Sequence, residues 1–355
     1  MIFFKSIDWK LNAAILAIMC AGLLSLLSAA PTLFYKQLFW GAAGFVLVFL
    51  IARFDWRSFV NYKSVIFGLY GAAILLLIVS YFFAPTIRGT KGWLVIGPFH
   101  FQAVEFAKLA LVILFAYFFS RKHAYISKIS ILAVSFVYFA VPAFLTALQP
   151  DFGSVLVLFF VWFGFLLVSG IRWRHLIFAL IIFSLLAGAM WQAVLKDYQK
   201  ERIIGVFSPE SDPLGINYNV IQSKIAIGSA GFFGKGFGQG SQAQLGFLPE
   251  AQTDFIFAAF TEEWGMIAGL LLLVVFAAAV FRIIKIGLGA DNNFNRLVSL
   301  GTVVLLIVQF VLNIGSNLGL TPVVGVTFPF LSYGGSSLLT NLALIGIIQS
   351  VFIRR

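Results

Sequence analysis

Stretches of about twenty apolar residues recur along this chain, and that recurrence leaves few ways for it to fold. Windows at 11–30, 33–52, 64–84, 103–120, 130–148, 152–169, 175–195, 255–281, 297–319 and 336–353 each have the length and hydropathy of a membrane-crossing helix. In hydrocarbon every backbone N–H and C=O must find a partner, which leaves the α-helix as the spanning element for runs of this length. The expected fold is an all-α integral membrane protein, a polytopic bundle of about ten transmembrane helices. Only 10% of the 355 residues are charged, against about 25% in an ordinary soluble domain. The first run is too long for a signal-peptide core and more of the same follows, so it reads as a retained helix, with no cleavable targeting segment.

The net charge of +11 does not point to nucleic acid, because the basic residues come in twos and threes between apolar runs and form no single patch. Their distribution sets an orientation instead. Lys5, Lys10, Arg53, Arg57, Arg121, Lys122, Lys128, Arg282 and Arg354 fall in one set of connections, while the short connections of the other set hold only Lys36, Arg88 and Lys91. The positive-inside rule puts both termini in the cytoplasm, and the interval 196–254, between the seventh and eighth runs, outside. Cys20 is the single cysteine and lies within the first run, which excludes a disulfide or a thiolate metal site within one chain. His100, His123 and His175 fall in separate connections and read as solvated loop residues, not as a metal centre.

The interval 196–254 is the only long stretch that is neither an apolar run nor a short connection, so polar chemistry is sought there first. Its glycine run, GSAGFFGKGFGQG, fails as a phosphate loop: Ser229 stands where the first glycine belongs, and Gly236 replaces the Ser or Thr after Lys235. What remains is flexible backbone able to approach a ligand closely. Arg202, Lys224 and Lys235 are candidates to attract an anionic headgroup. Pro85–Gln102 reads as a turn-rich surface piece with Trp93 at the interface. Thr321–Ser337 is irregular yet apolar, tolerated at membrane depth only where protein or a wet cavity covers it. A packing loop and a substrate-lining loop are both compatible with that.

A few charges stand where they are expensive. Glu105 and Lys108 open the fourth run, three residues apart and hence on one helix face. An ionised group at bilayer depth costs about 2.5–3.5 kcal/mol even on lenient scales, so the two should face the bundle interior and pair. Asp151, in QPDFGS, fits a helix N-cap. Asp254, where the long interval meets the eighth run, is either another cap with Thr253 or a catalytic carboxylate, since apolar Phe255, Ile256 and Phe257 would partly desolvate it and make it a better base. Glu262 and Glu263 are expected two to three turns deeper in that run, in structural roles.

The stretches EFAKL (105–109), QPDFGS (149–154), DPLGINY (212–218), QSKIAIGSAGFFGKG (222–236), LPEAQTDFIFA (248–258), EEWG (262–265) and PFLSYGGSS (329–337) resemble, in order and across essentially the whole chain, the SEDS family of bacterial peptidoglycan polymerases. GSQAQLGFLPE (240–250) is more similar to the RodA branch, which serves lateral wall growth, than to the FtsW division branch. The resemblance implies an inverting glycosyltransferase that joins lipid II into β-1,4 glycan strands at the outer face of the inner membrane, with Asp254 as the catalytic residue. Along the substrate it implies Arg202, Lys224, Lys235, Asp151, Gln222, Ser223 and Ser332, with Glu105 and Lys108 as a supporting ion pair. It further implies a class B penicillin-binding protein and other elongation-complex membrane proteins as partners, and leaves open a divalent cation (Mg or Mn). Interior charges also suit a lipid flippase, and the spans alone a non-catalytic scaffold. The sequence has no evident internal repeat of the transporter kind, and the large one-sided loop fits surface chemistry better.

Overall fold

The structure, a computed structural model, describes residues 6–56, 62–87, 89–97, 99–122, 129–170, 172–193, 197–208, 212, 213, 215 and 217–355. Lys5, Arg57, Arg88, His123 and Lys128, which entered the sequence reading, lie outside the described residues. The chain runs through α1 (Trp9–Ala29), α2 (Pro31–Arg53), α3 (Lys63–Phe83), β1 (Trp93–Ile96), β2 (Phe99–Gln102), α4 (Ala103–Lys122), α5 (Ile129–Leu148), α6 (Phe152–Val168) and α7 (Trp173–Ala193). The long interval then folds as α8 (Asp197–Phe207), α9 (Tyr218–Ser229) and α10 (Ser241–Gln244), followed by α11 (Ile256–Leu288), α12 (Asn293–Leu318) and α13 (Gly335–Ile353). Among the described residues eight helices are long and apolar enough to cross a membrane, and α6 and the Trp173–Ala189 part of α7 are shorter apolar helices. The expected polytopic helical bundle is what forms.

Local signals set the boundaries. Asp8 caps α1 by accepting from Leu11 N, and Pro31 starts α2 at once, because a proline at the first helical position gives up an N–H that had no partner anyway. Asp151 caps α6 through Ser154 N, as its position suggested. Inside α5, Pro142 cannot donate to the Tyr138 carbonyl, and the hydroxyl of Tyr70 on α3 supplies that bond at 3.0 Å. The 93–102 stretch is more regular than a set of turns: β1 and β2 form an antiparallel hairpin with Trp93 opposite Gln102, turned through Gly97 at positive φ.

α4 is the central helix, buried along nearly its whole length, and α2 packs along α13 while α1 packs against α11. Both chain ends lie on one face. There Arg282 Nε meets Asp8 Oδ2 at 2.6 Å, and Gln349 Nε2 donates to the Asp8 carbonyl and to Asn12 Oδ1. The opposite face carries α8, α9 and α10 and is called the loop face below.

The expected eighth span, 255–281, needs correction. Gly265 has φ 86° and ψ 170°, which breaks α11 in two. Thr261 Oγ1 lies 2.8 Å from where a Cβ on Gly269 would sit, although in a straight helix the two would be separated by ~12 Å. The segment Ile256–Trp264 is therefore folded back along the rest, a re-entrant helix whose residues from Ile256 to Glu263 are all buried. Met266–Leu288 is the span proper, long enough at ~1.5 Å per residue for a ~30 Å hydrocarbon core. The reversal also moves Glu262 and Glu263. They sit at the crest of the bend on the loop face, where Glu263 hydrogen-bonds Ser28 near the end of α1.

Candidate functional site

The break at Gly265 exposes backbone groups that a continuous helix would have paired, and the glycine-rich run satisfies them. Lys235 N and Gly236 N donate to the carbonyls of Glu262 and Glu263, while Met266 N and Ile267 N donate to the carbonyls of Gly231 and Phe232. This splice needs glycine twice. At Gly234 (φ 81°) a Cβ would overlap the Glu263 carbonyl, and at Gly265 it would overlap that of Phe232. The close backbone approach expected of these glycines is thus made to the protein's own broken helix.

Side chains reinforce the splice. Glu262, fully buried, takes Lys235 Nζ at 2.6 Å, Ser241 Oγ at 3.2 Å and Gln242 N at 3.1 Å. Glu263 accepts from Gln244 Nε2 at 3.2 Å as well as from Ser28. The structure therefore ties Lys235, a candidate for the substrate's anion, to Glu262. The ion pair pins the glycine-rich turn to the bend, and the hydrogen bonds from Ser241, Gln242 N and Gln244 hold α10 there.

Asp254 lies at the foot of the re-entrant helix, half-buried. It is not a helix cap: the N-cap position is Phe255, and Ala258 N is served across the bundle by Asn317 Oδ1 at 3.2 Å. Thr253 Oγ1 turns to Glu250 Oε2. The Asp254 carbonyl accepts from both Asn313 Nδ2 (3.0 Å) and Asn317 Nδ2 (2.8 Å) of α12. Its Oδ2 faces Gly325, 4.0 Å from where a Cβ there would stand. Gly325 is exposed, so the carboxylate side of the residue borders open space.

Gly325 belongs to the irregular segment 321–337, which dips into the bundle. Leu331 packs backbone-close on Gly22, roughly two turns below the loop-face end of α1. The segment is covered by protein, as membrane depth requires. Ser332 Oγ donates to the Thr253 carbonyl at 2.6 Å and accepts from Phe328 N, Tyr333 N donates to the Gln252 carbonyl, and Gln37 Nε2 donates to the Ser332 carbonyl. Two re-entrant pieces thus meet, and Asp254 sits at their junction.

The other candidates divide by location. Arg202, exposed on α8, donates to the Val323 carbonyl at 3.2 Å, two residues from Gly325. Lys224, exposed on α9, lines a narrow cleft with Gly205, Asn217, Gly319 and Thr321. Ser223 is buried and donates to the Asn317 carbonyl at 2.9 Å, and Gln222 beside it is half-buried. Asp151, beyond capping α6, accepts from Gln102 Nε2 and Ser154 Oγ, and α6 meets the 321–337 segment where Gly153 packs on the Val324 carbonyl. Glu105 and Lys108 form a buried pair at 2.7 Å, and the second carboxylate oxygen of Glu105 has no partner among the described residues. Among the described residues no group of three or more His, Cys, Asp or Glu is placed to hold a metal ion.

Asn313 and Asn317 escaped the sequence reading. The signal was present: two asparagines one turn apart, beside Gln309 and Ser316, inside a membrane-crossing run, QFVLNIGSNLG, where a polar side chain must find a partner.

Comparison with known proteins places this geometry. The family model described as "Cell cycle protein", covering FtsW, RodA and SpoVE, matches residues 9–355. Peptidoglycan glycosyltransferase MrdB of Escherichia coli (strain K12) is 36% identical over 314 residues, 88% of this chain and 84% of that protein. Stage V sporulation protein E of Bacillus subtilis (strain 168) is 36% identical over 321 residues, 89% and 86% of the two chains. A solved chain described as "Structural coordination of polymerization and crosslinking by a peptidoglycan synthase complex" superposes with a TM-score of 0.83 at 35% identity, covering 98% of this chain and 97% of that one. The Thermus thermophilus rod shape determining protein RodA gives 0.72 at 29% identity, with 98% and 96% covered. On the match along nearly its full length, this chain belongs to the FtsW, RodA and SpoVE (SEDS) family of multi-pass membrane proteins.

Proposed function

We propose that this chain is a peptidoglycan glycosyltransferase that polymerises lipid II into β-1,4 glycan strands at the outer face of a bacterial inner membrane, serving elongation and cell shape. The observation that carries the reading is the match over most of both chains to MrdB, named for that activity. The geometry supplies the residues. Lipid II is anchored by its polyprenyl tail, so its sugars lie at headgroup level. Asp254 lies just inside the loop face, bordering the exposed Gly325.

An α-linked diphosphate donor giving a β-linked product requires one in-line displacement with inversion. Asp254 takes the proton of the acceptor hydroxyl as that oxygen attacks the anomeric carbon. Diphosphate leaves without protonation, so no second carboxylate acts as acid, unlike glycoside hydrolysis. The growing negative charge on the leaving group calls for cations nearby. Arg202 and Lys224, exposed on α8 and α9 and both bordering the Thr321–Val323 backbone, are the best placed. Lys235 and Lys108 are held by Glu262 and Glu105 and serve the frame. A divalent ion, if used, would be shared between the diphosphate oxygens and water and would supply the same charge compensation to the leaving group.

With the long loop outside, both termini lie in the cytoplasm, in keeping with the basic connections. The similarity to a chain from a peptidoglycan synthase complex supports a class B penicillin-binding protein as partner, crosslinking the strands made here. The test is glycan formation by the purified chain from lipid II in detergent, with and without EDTA. The unmodified protein is expected to make polymer, and Asp254→Asn, folded to the same extent, none. Transport needs a sealed membrane, so polymer made in detergent separates this reading from a flippase. Absence of polymer from the unmodified chain counts against it.

A further inference from the structure

Asn313 and Asn317 lie one turn apart on α12, hence on one face of it. Both are buried, and both aim Nδ2 at the same acceptor, the Asp254 carbonyl. A carbonyl has two lone pairs, so the two amides saturate it. Asn317 Oδ1 meanwhile accepts from Ala258 N, which makes that one side chain span the bend from Asp254 to the first turn of the re-entrant helix. Asn313 Nδ2 also donates to the Val326 carbonyl at 2.9 Å, tying in the segment that carries Gly325. Asn317 Nδ2 also donates to the Asn313 carbonyl at 2.8 Å, and the Asn317 main-chain carbonyl accepts from Ser223 of α9, the helix that carries Lys224.

Burying two amides in an apolar helix is unfavourable unless their hydrogen bonds are made. Here one bond from each amide converges on the same main-chain carbonyl, that of the residue placed to act as base. From this convergence we infer that Asn313 and Asn317 are positioning residues: by clamping the Asp254 main chain to α12 and to the 321–337 segment, they set where its carboxylate meets the acceptor hydroxyl. The inference rests on the polymerase reading for its catalytic consequence, whereas the clamp itself is a statement about the fold. A misplacement of about 1 Å at a reacting group costs on the order of a hundredfold in rate, so small slips at this bend reach the chemistry.

The experiment uses the full-length chain in detergent with lipid II, comparing Asn313→Leu and Asn317→Leu, which keep the branching at Cγ but add bulk, with the smaller Asn313→Ser and Asn317→Ser. Turnover, KM for lipid II, the thermal midpoint and deuterium uptake of peptides covering 250–260 are measured together. The expected result for Asn313→Leu is a turnover lowered at least tenfold, with KM within about threefold and faster exchange confined to 250–260. Asn317→Leu is expected to deprotect the Ala258 amide in particular. Loss of activity that merely tracks loss of folded protein in all four variants overturns the inference, as does normal turnover with either amide removed. Asp254→Asn run alongside keeps the two ideas apart. An active Asp254→Asn removes the base assignment, whereas an inactive one beside active Asn variants removes the clamp. If the unmodified chain makes no polymer, the polymerase reading falls, and the exchange pattern alone decides whether the amides hold the bend.

Discussion

Lys235 Nζ lies 2.6 Å from Glu262 Oε1, and this contact pins a glycine-rich turn of the long loop to the crest of a helix broken to receive it. Glu262 is fully buried while the Lys235 side chain keeps about a quarter of its surface in solvent. The two partners therefore respond differently. Lys235→Ala leaves a buried carboxylate with Ser241 and the Gln242 amide as its remaining donors. Glu262→Gln keeps the shape and an acceptor oxygen but removes the charge that pairs with the ammonium. We expect each to lower stability by about 2 kcal/mol, less than for a sealed pair because the lysine reaches water. Thermal unfolding in detergent measures the loss, and faster proteolysis within 231–246 locates it.

The splice is made by backbone, so glycine substitutions test it without changing charge. Gly265→Ala puts a Cβ into the Phe232 carbonyl at a φ that side chains rarely adopt. The expected cost is about 2–3 kcal/mol. Gly238→Ala, also at positive φ but with open space around it, is the control and is expected to cost only about 1 kcal/mol. Equal losses at the two positions would show that strain alone matters and that the docked loop does not.

The Glu105–Lys108 pair yields a sharper contrast. Both side chains are almost fully buried, and one carboxylate oxygen of Glu105 has no hydrogen-bond partner among the described residues. Glu105→Ala leaves an ammonium uncompensated, at an expected cost of about 3–5 kcal/mol. The exchange Glu105→Lys with Lys108→Glu restores the pair on the same helix face and is expected to recover most of the stability. If glycan synthesis returns with it, pairing is what the site needs. Recovered stability without activity assigns Glu105 a direct part in the chemistry.

The spans were legible because hydropathy over about twenty residues reports burial in lipid regardless of how helices pack. The eighth was misread for the same reason. The stretch 256–260 is as apolar as the span it folds against, and hydropathy carries no information about a reversal. The warning lay in Glu262, Glu263 and Gly265, two charges and a helix-breaking residue together inside an apolar run. Asp151 was legible as a cap because capping is local. The partners of Asp254 were not, since Asn313, Asn317 and Gly325 reach it only through tertiary packing. The glycine run looked like a ligand loop because a backbone that must approach another backbone and one that must approach a ligand need the same residue.

Remote from the site, the bond from Tyr70 to the Tyr138 carbonyl offers a clean double-mutant cycle. That carbonyl is free only because Pro142 lacks an N–H. Tyr70→Phe removes its donor, at an expected cost of about 1 kcal/mol. In the Pro142→Ala background the helix can close its own bond at that position, so the tyrosine hydroxyl becomes redundant and the same substitution should cost close to nothing. The coupling between the two changes, read from thermal or denaturant unfolding in detergent, should thus equal nearly the whole effect of Tyr70→Phe. Additive costs would mean that the hydroxyl contributes through packing between α3 and α5. Glycan synthesis should be unchanged throughout, since neither residue touches the elements that hold Asp254.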